Sequence, residues 1–199
     1  MAMTPEQFAA DYIPRWEGGM SRDKNDAGNW STGQKGAGVL LGSNRGITGR
    51  TLAAYRGVPV SSLTMKDIEN VPLSEAVAIA LKLFYKDVGL DKLVWNRVTA
   101  SVLDFGWTAG PQRAVKRLQD LLDLTQDGAV GPNTTAAYKA ALNTKGETFL
   151  AGAWWATRET YYESLVASRP SDGIYLNGWD NRSDYFTPNH KEGWWNRFG

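Results

Sequence analysis

The chain has 199 residues, 42% of them hydrophobic and 22% charged, with a formal net charge of +1; this length admits one sizeable core, or a catalytic lobe with a smaller lobe packed on it. No dense Lys/Arg stripe points to nucleic acid, and no apolar stretch is long and uninterrupted enough to insert into a membrane. There is no cysteine and a single histidine, His190, which removes disulfides and thiolates, denies a zinc hydrolase its imidazoles, and leaves hydrolytic chemistry to carboxylates.

Read in chain order, the first helix is well signalled. Thr4 and Gln7 make a Thr-x-x-Gln capping box, Pro5 suits the first turn, and Phe8, Tyr12, Ile13 and Trp16 fall on one face. Pro14 has no N–H for the carbonyl of Ala10 and is expected to bend the last turn. Gly18 and Gly19 are expected to end the helix in the left-handed cap conformation. Residues 20–47 are rich in Gly, Asn, Ser and Asp, with one apolar patch at 39–41. They read as turns plus a short β-hairpin, and polar loops of this length in compact domains usually carry function.

Helical patterns then resume. One short helix ends at Gly57, and Thr64 and Asp67 can open a brief turn. A longer one carries Val77, Ala80, Leu81, Phe84 and Val88 at helical spacing and closes at Gly89. Further stripes run through Leu93, Val98, Val102 and Phe105, then through Val115, Leu118 and Leu122 after Pro111. The stretch "GPNTTAAYKAAL" follows, and Thr144 with Glu147 opens the aromatic helix "FLAGAWWATRETYYESLVAS". Everything beyond residue 168 reads as turn-rich. The fold class is mainly α with a small β-hairpin near the front.

The carboxyl of Glu17, wedged between Trp16 and two glycines, stands where the first helix breaks. A glycosidase needs a general acid that keeps its proton near neutral pH, so its surroundings must disfavour the anion. The negative end of the helix dipole acts in that direction, and packing beside Trp16 adds desolvation. The glycines leave room for a polymer. A partner group is needed on the other face of the sugar ring, as nucleophile or as a base that orients water. Asp26 is the leading candidate and Asp23 the runner-up, with Ser43 or Thr48 supplying a hydroxyl.

These residues carry a resemblance. "WEGGMSRDKNDAGNW" followed by "GSNRGITGRTLAAYRG" resembles glycoside hydrolase family 108, the phage and bacterial muramidases of the lysozyme superfamily, over roughly residues 5–90. The resemblance implies a lysozyme-like helical fold, Glu17 as catalytic acid, Asp26 as the loop aspartate, and Ser43 in the place usually held by Thr before the Gly-Ile-Thr turn. The C-terminal half, with "VLDFGWTAGPQRAVKRLQDLL", "QDGAVGPNTTAAY" and "YYESLVASRPSDGIYLNGWDNR", resembles the peptidoglycan-binding domain that commonly follows such muramidases. The expected division is 1–92 for the muramidase region and 93–199 for the wall-binding region, which together can form one continuous body.

The expected activity is hydrolysis of the β-1,4 bond between N-acetylmuramic acid and N-acetylglucosamine in bacterial peptidoglycan. No metal or organic cofactor is expected, and the chain is expected to act as a monomer. The N-terminus lacks a basic segment followed by an apolar one, so an endolysin waiting in the host cytoplasm for release to the wall fits best. Alternatives are a lytic transglycosylase and a non-catalytic wall-binding module. Trp107, Asp127 and Trp179 are candidate substrate contacts. Trp107 can edge a groove, whereas the bland reading of Asp127 is a turn-building aspartate and that of Trp179 a lid over the core. Trp154, Trp155, Tyr161 and Tyr162 read as core, Trp194 and Trp195 as a lid or platform, and His190 as a surface residue.

Overall fold

The computed structural model describes residues 3–187 and 190. The chain divides into two compact units, Pro5–Leu83 and a second made of Phe84–Gly199 with Met1–Thr4. Among the described residues the architecture is mainly α with one two-stranded antiparallel hairpin, as the sequence pattern anticipates. No described helix is long and apolar enough to cross a membrane.

In the first unit, α1 (Pro5–Trp16) packs its aromatic stripe inward. Phe8 and Tyr12 stack with ring centroids 4.8 Å apart, and Tyr12 meets Trp16 at 6.3 Å. The helix passes through Pro14 without breaking, because the ring points outward at an exposed position and forfeits only one hydrogen bond near the helix end. The expected left-handed cap is absent: neither Gly18 nor Gly19 has a positive φ. The helix stops there because two consecutive glycines gain least from helical order.

The hairpin pairs β1 (Ser43–Asn44) with β2 (Ile47–Thr48), Ser43 opposite Thr48 and Asn44 opposite Ile47. Arg45 and Gly46 form the turn with φ of 53° and 74°, the type I′ signature, which matches the twist of a hairpin. Thr48 then caps α2 (Gly49–Arg56), its side chain accepting from the N–H of Thr51. Next comes α3 (Met65–Glu69), opened by a reciprocal Thr64–Asp67 capping box. The last helix of this unit, α4 (Leu73–Ile79), packs against α1. It runs on into a π-helical stretch, Ala80–Lys86, where the sequence pattern had suggested unbroken α-helix. Gly89, at φ 79°, ends the run.

The second unit contains α5 (Arg97–Ala109), α6 (Pro111–Leu121), α7 (Pro132–Lys145), α8 (Glu147–Ser168) and α9 (Gly173–Asp184). Gly106 of α5 lets α6 approach, since a Cβ there would sit 3.3 Å from the backbone of Pro111 and 3.6 Å from Ala114. Phe105, Trp154, Tyr161 and Tyr162 meet edge to face in the core. The stretch 173–184, expected to be turn-rich, is helical. Its glycines and asparagines are poor helix formers, yet Trp179 stacks on Tyr162 at 5.2 Å, and such packing overrides intrinsic propensity. Trp194 and Trp195 lie outside the described residues.

Candidate active site

Glu17 is the first residue past α1. Its backbone N–H donates to the carbonyl of Ile13 at 2.9 Å, so the carboxyl leaves the chain at the negative end of the helix dipole. The residue is half-buried, and its Oε1 is shielded from solvent. Immediately beyond it the chain is open. A Cβ built on Gly18 or on Gly19 would meet nothing within 4 Å.

Four residues after Glu17, at most about 14 Å of extended chain, the backbone is stitched to the hairpin. Ser21 and Ser43 exchange both backbone hydrogen bonds, at 2.7 and 3.0 Å, and Ser43 in turn pairs with Thr48. The contact is close because residue 42 is glycine. A Cβ there would lie 2.6 Å from the carbonyl oxygen of Ser21, and φ is +81°.

Asp26 begins the 3-10 turn Ala27–Asn29 and accepts the N–H of Gly28 at 2.8 Å through Oδ1. The residue is exposed, which suits a group that handles water. Gly28 lies between Asp26 and Thr48: a Cβ on it would be 3.2 Å from Asp26 Oδ1 and 3.3 Å from Thr48 Cγ2. The fold therefore gathers Asp26, Ser43 and Thr48 at one end of the hairpin. Thr48 Oγ1 is engaged in capping α2, 3.1 Å from Thr51 Oγ1. Asp23, the other acid of the loop, accepts the N–H of Asn25 at 2.8 Å.

Three residues that hold this arrangement carry no signal that sequence reading picked out. Asn29 is fully buried within a loop of polar residues. Its side-chain amide donates to the carbonyl of Asp23 at 2.9 Å, while its backbone carbonyl accepts the N–H groups of Leu41 and Gly42 at 2.9 and 3.0 Å. Asn44 donates to the carbonyls of Ile68 and Glu69 at 3.1 and 2.9 Å, closing the C-terminal end of α3. Arg22 pairs with Glu69 at 2.5 Å. Together they fasten the two ends of the loop to a rigid helix end; Asn among Gly and Ser signals a turn but not which turn is buried.

The second unit holds the remaining candidates. Trp107 packs on Phe84, centroids 4.7 Å apart, and its indole Nε1 is buried without a hydrogen-bond partner. Asp127 opens the turn "DGAVGPNT". Its Oδ1 accepts the N–H of Ala129 at 2.9 Å and the side-chain amide of Gln119 at 2.6 Å, and these two bonds, the backbone one first, hold its carboxyl below the usual aspartate range. Gln119, nearly fully buried, also reaches Thr134 Oγ1 at 3.1 Å and accepts from the N–H of Gly128 at 2.9 Å. Asp127 thus builds the turn that feeds α7. Trp179 lies half-buried between Tyr162 and Tyr175. Among the described residues no set of three His, Asp or Glu side chains gathers as metal ligands.

Residues 10–110 match the family model for glycosyl hydrolase 108. Residues 111–184 match the model described as a predicted peptidoglycan domain. Among solved structures the chain is similar to that of SagA from Brucella abortus, with 24% identity and a TM-score of 0.68. That similarity covers 92% of this chain and 96% of that one, and at this identity it is a likeness of fold. No curated protein matches the chain.

Proposed function

The chain belongs to the glycosyl hydrolase 108 family, and from that premise we propose that it is an N-acetylmuramidase. Its C-terminal half is a peptidoglycan-binding domain, which makes bacterial peptidoglycan its partner. The proposed reaction is hydrolysis of the β-1,4 bond between N-acetylmuramic acid and N-acetylglucosamine, with Glu17 protonating the leaving glycosidic oxygen. The observation that carries this reading is the end of α1: a half-shielded carboxyl at a helix C-terminus, followed by two glycines with open space over them.

Asp26 is the proposed partner. Its exposed carboxylate stands at the hairpin end beside Thr48, where it orients water or stabilises the positive charge that develops on the sugar ring. Ser43 serves through its backbone, holding Ser21, and Thr48 through its place beside Gly28. In the second unit, the unpartnered indole N–H of Trp107 is a donor that a sugar oxygen can satisfy. The proposal extends to an endolysin role, with the wall reached from the host cytoplasm through a lesion made by another protein.

A lytic transglycosylase is the alternative with an observation in its favour. Such an enzyme uses one carboxyl as both acid and base, and Asp26 is already engaged in capping a turn. Mass spectrometry of fragments released from purified walls separates the two. Reducing muramic acid ends are expected; 1,6-anhydro ends would overturn the hydrolytic reading and leave Glu17 as the sole catalytic carboxyl.

A further inference from the structure

Between α6 and α8 lies a cleft of about 330 Å³, within the size range of small-ligand sites. Ala153 and Ala156 make the room, Tyr161 forms part of the wall, and Arg117 and Asp120 bring opposite charges to it from α6. None of its lining residues is a candidate catalytic or substrate-contacting residue described above.

The lining is chemically one-sided along α8. Thr157 Oγ1 donates to the carbonyl of Ala153 at 3.0 Å, Thr160 Oγ1 to that of Ala156 at 2.9 Å, and Ser164 Oγ to that of Tyr161. Each hydroxyl hydrogen is therefore committed to the helix, and each oxygen keeps lone pairs for an incoming N–H. Asp120 adds a carboxylate to the same acceptor set, one of whose oxygens already holds Gln126 at 2.7 Å. Arg117 supplies the opposite function. Its guanidinium lies over the Tyr161 ring at 5.7 Å and only 4.0 Å from Asp120, so it is loosely paired and half-exposed.

A glycan does not fit this lining well. Sugars favour an open aromatic face, and Tyr161 offers none: it is buried, and the guanidiniums of Arg113 and Arg117 both lie over its ring. Arg113 also donates to the Tyr161 hydroxyl at 3.0 Å, which fixes that ring. What the cleft asks for is a row of N–H donors ending in a carboxylate. The lining of α8 runs from residue 153 to residue 164, about 16 Å of helix, and about five residues of extended peptide span the same distance.

We propose that the α6–α8 cleft seats the short peptide of the bacterial wall, with a free peptide carboxylate on Arg117 and backbone N–H groups on Thr157, Thr160 and Asp120. This rests on peptidoglycan being the partner of the C-terminal half, and it assigns recognition there to the peptide rather than to the glycan strand.

The test uses the full chain and two probes: a synthetic wall stem pentapeptide with a free or an amidated C-terminus, and an N-acetylglucosamine tetramer. Calorimetric titration is expected to show binding of the free-acid peptide, weakened at least tenfold by amidation, by Arg117→Ala and by Thr160→Val. Thr160 is exposed, so its isosteric replacement leaves folding unaffected. Equal affinity for the acid and the amide, or an unchanged affinity in both variants, would overturn the assignment. Glu17→Gln is expected to bind the peptide normally while losing wall digestion. Normal peptide binding by a wild type that digests no wall would sink the muramidase reading and leave the cleft assignment standing.

Discussion

At the scale of single residues, three carboxyls in this chain stand in three different surroundings. Asp127 is held in its charged form by a backbone N–H and by Gln119, so it contributes stability above its unfolded pKa that is lost as pH falls through the lower folded value. Glu159 is the reverse case. Burial pushes its carboxyl up, and the charges of Asp180 and Asp184 add to the effect against the hydrogen bond it accepts from Ser183. A carboxyl raised in the folded state favours folding at low pH, and that advantage is lost as pH rises from the unfolded toward the folded pKa. Glu159→Gln keeps the shape and the acceptor for Ser183 but removes the charge. The variant is expected to melt higher than wild type at pH 7 and to lose that advantage by about pH 3, below the ordinary glutamate range; thermal melts at the two pH values check both halves. Glu17 differs from both in standing at a helix end beside open space, which is the arrangement a proton donor to a polymer requires.

At the scale of elements, α9 and the loop 20–42 show what sequence periodicity reads and what it misses. The aromatic face of α1 was legible because Phe8, Tyr12, Ile13 and Trp16 repeat at helical spacing, and a short hairpin within 20–47 because that stretch is rich in Gly, Asn, Ser and Asp around one apolar patch. The helix at 173–184 was not, since its stability comes from Trp179 on Tyr162 and from a buried ion network, neither of which has a local period. In that network Asp104 of α5 pairs with Arg158 of α8 at 2.8 Å and with Arg182 of α9 at 2.7 Å, all three nearly or fully buried. Ser101 accepts from Arg158 at 2.8 Å and from Trp154 at 3.0 Å. One aspartate of α5 thus ties in α8 and α9, both distant from α5 in sequence. Asp104→Asn leaves two guanidiniums without their anion in a desolvated core, and the expected loss is about 3–5 kcal/mol of unfolding free energy in urea titration. A loss below about 1 kcal/mol would mean that aromatic packing alone holds α9. The loop follows the same logic. Glu17 stood out as an acid at a helix break and Asp26 as one in a polar stretch, whereas the burial of Asn29 follows from Leu41 and Gly42 returning to it across a dozen residues, which composition does not encode.

At the scale of the whole molecule, each unit has its own core and its own candidate chemistry: a carboxyl at a helix break in Pro5–Leu83, and a polar cleft between two helices in the second. The family match places glycoside hydrolysis and wall binding in one chain, and the central claim is that the proton for bond cleavage comes from Glu17. The most direct measurement is clearing of permeabilised bacterial cells by wild type and by Glu17→Gln at matched concentration, with circular dichroism confirming equal helix content. A general acid contributes about 10²–10⁴ to rate, so a loss of at least about a hundredfold is expected. A Glu17→Gln protein that is folded and clears cells within a few-fold of wild type would contradict the account.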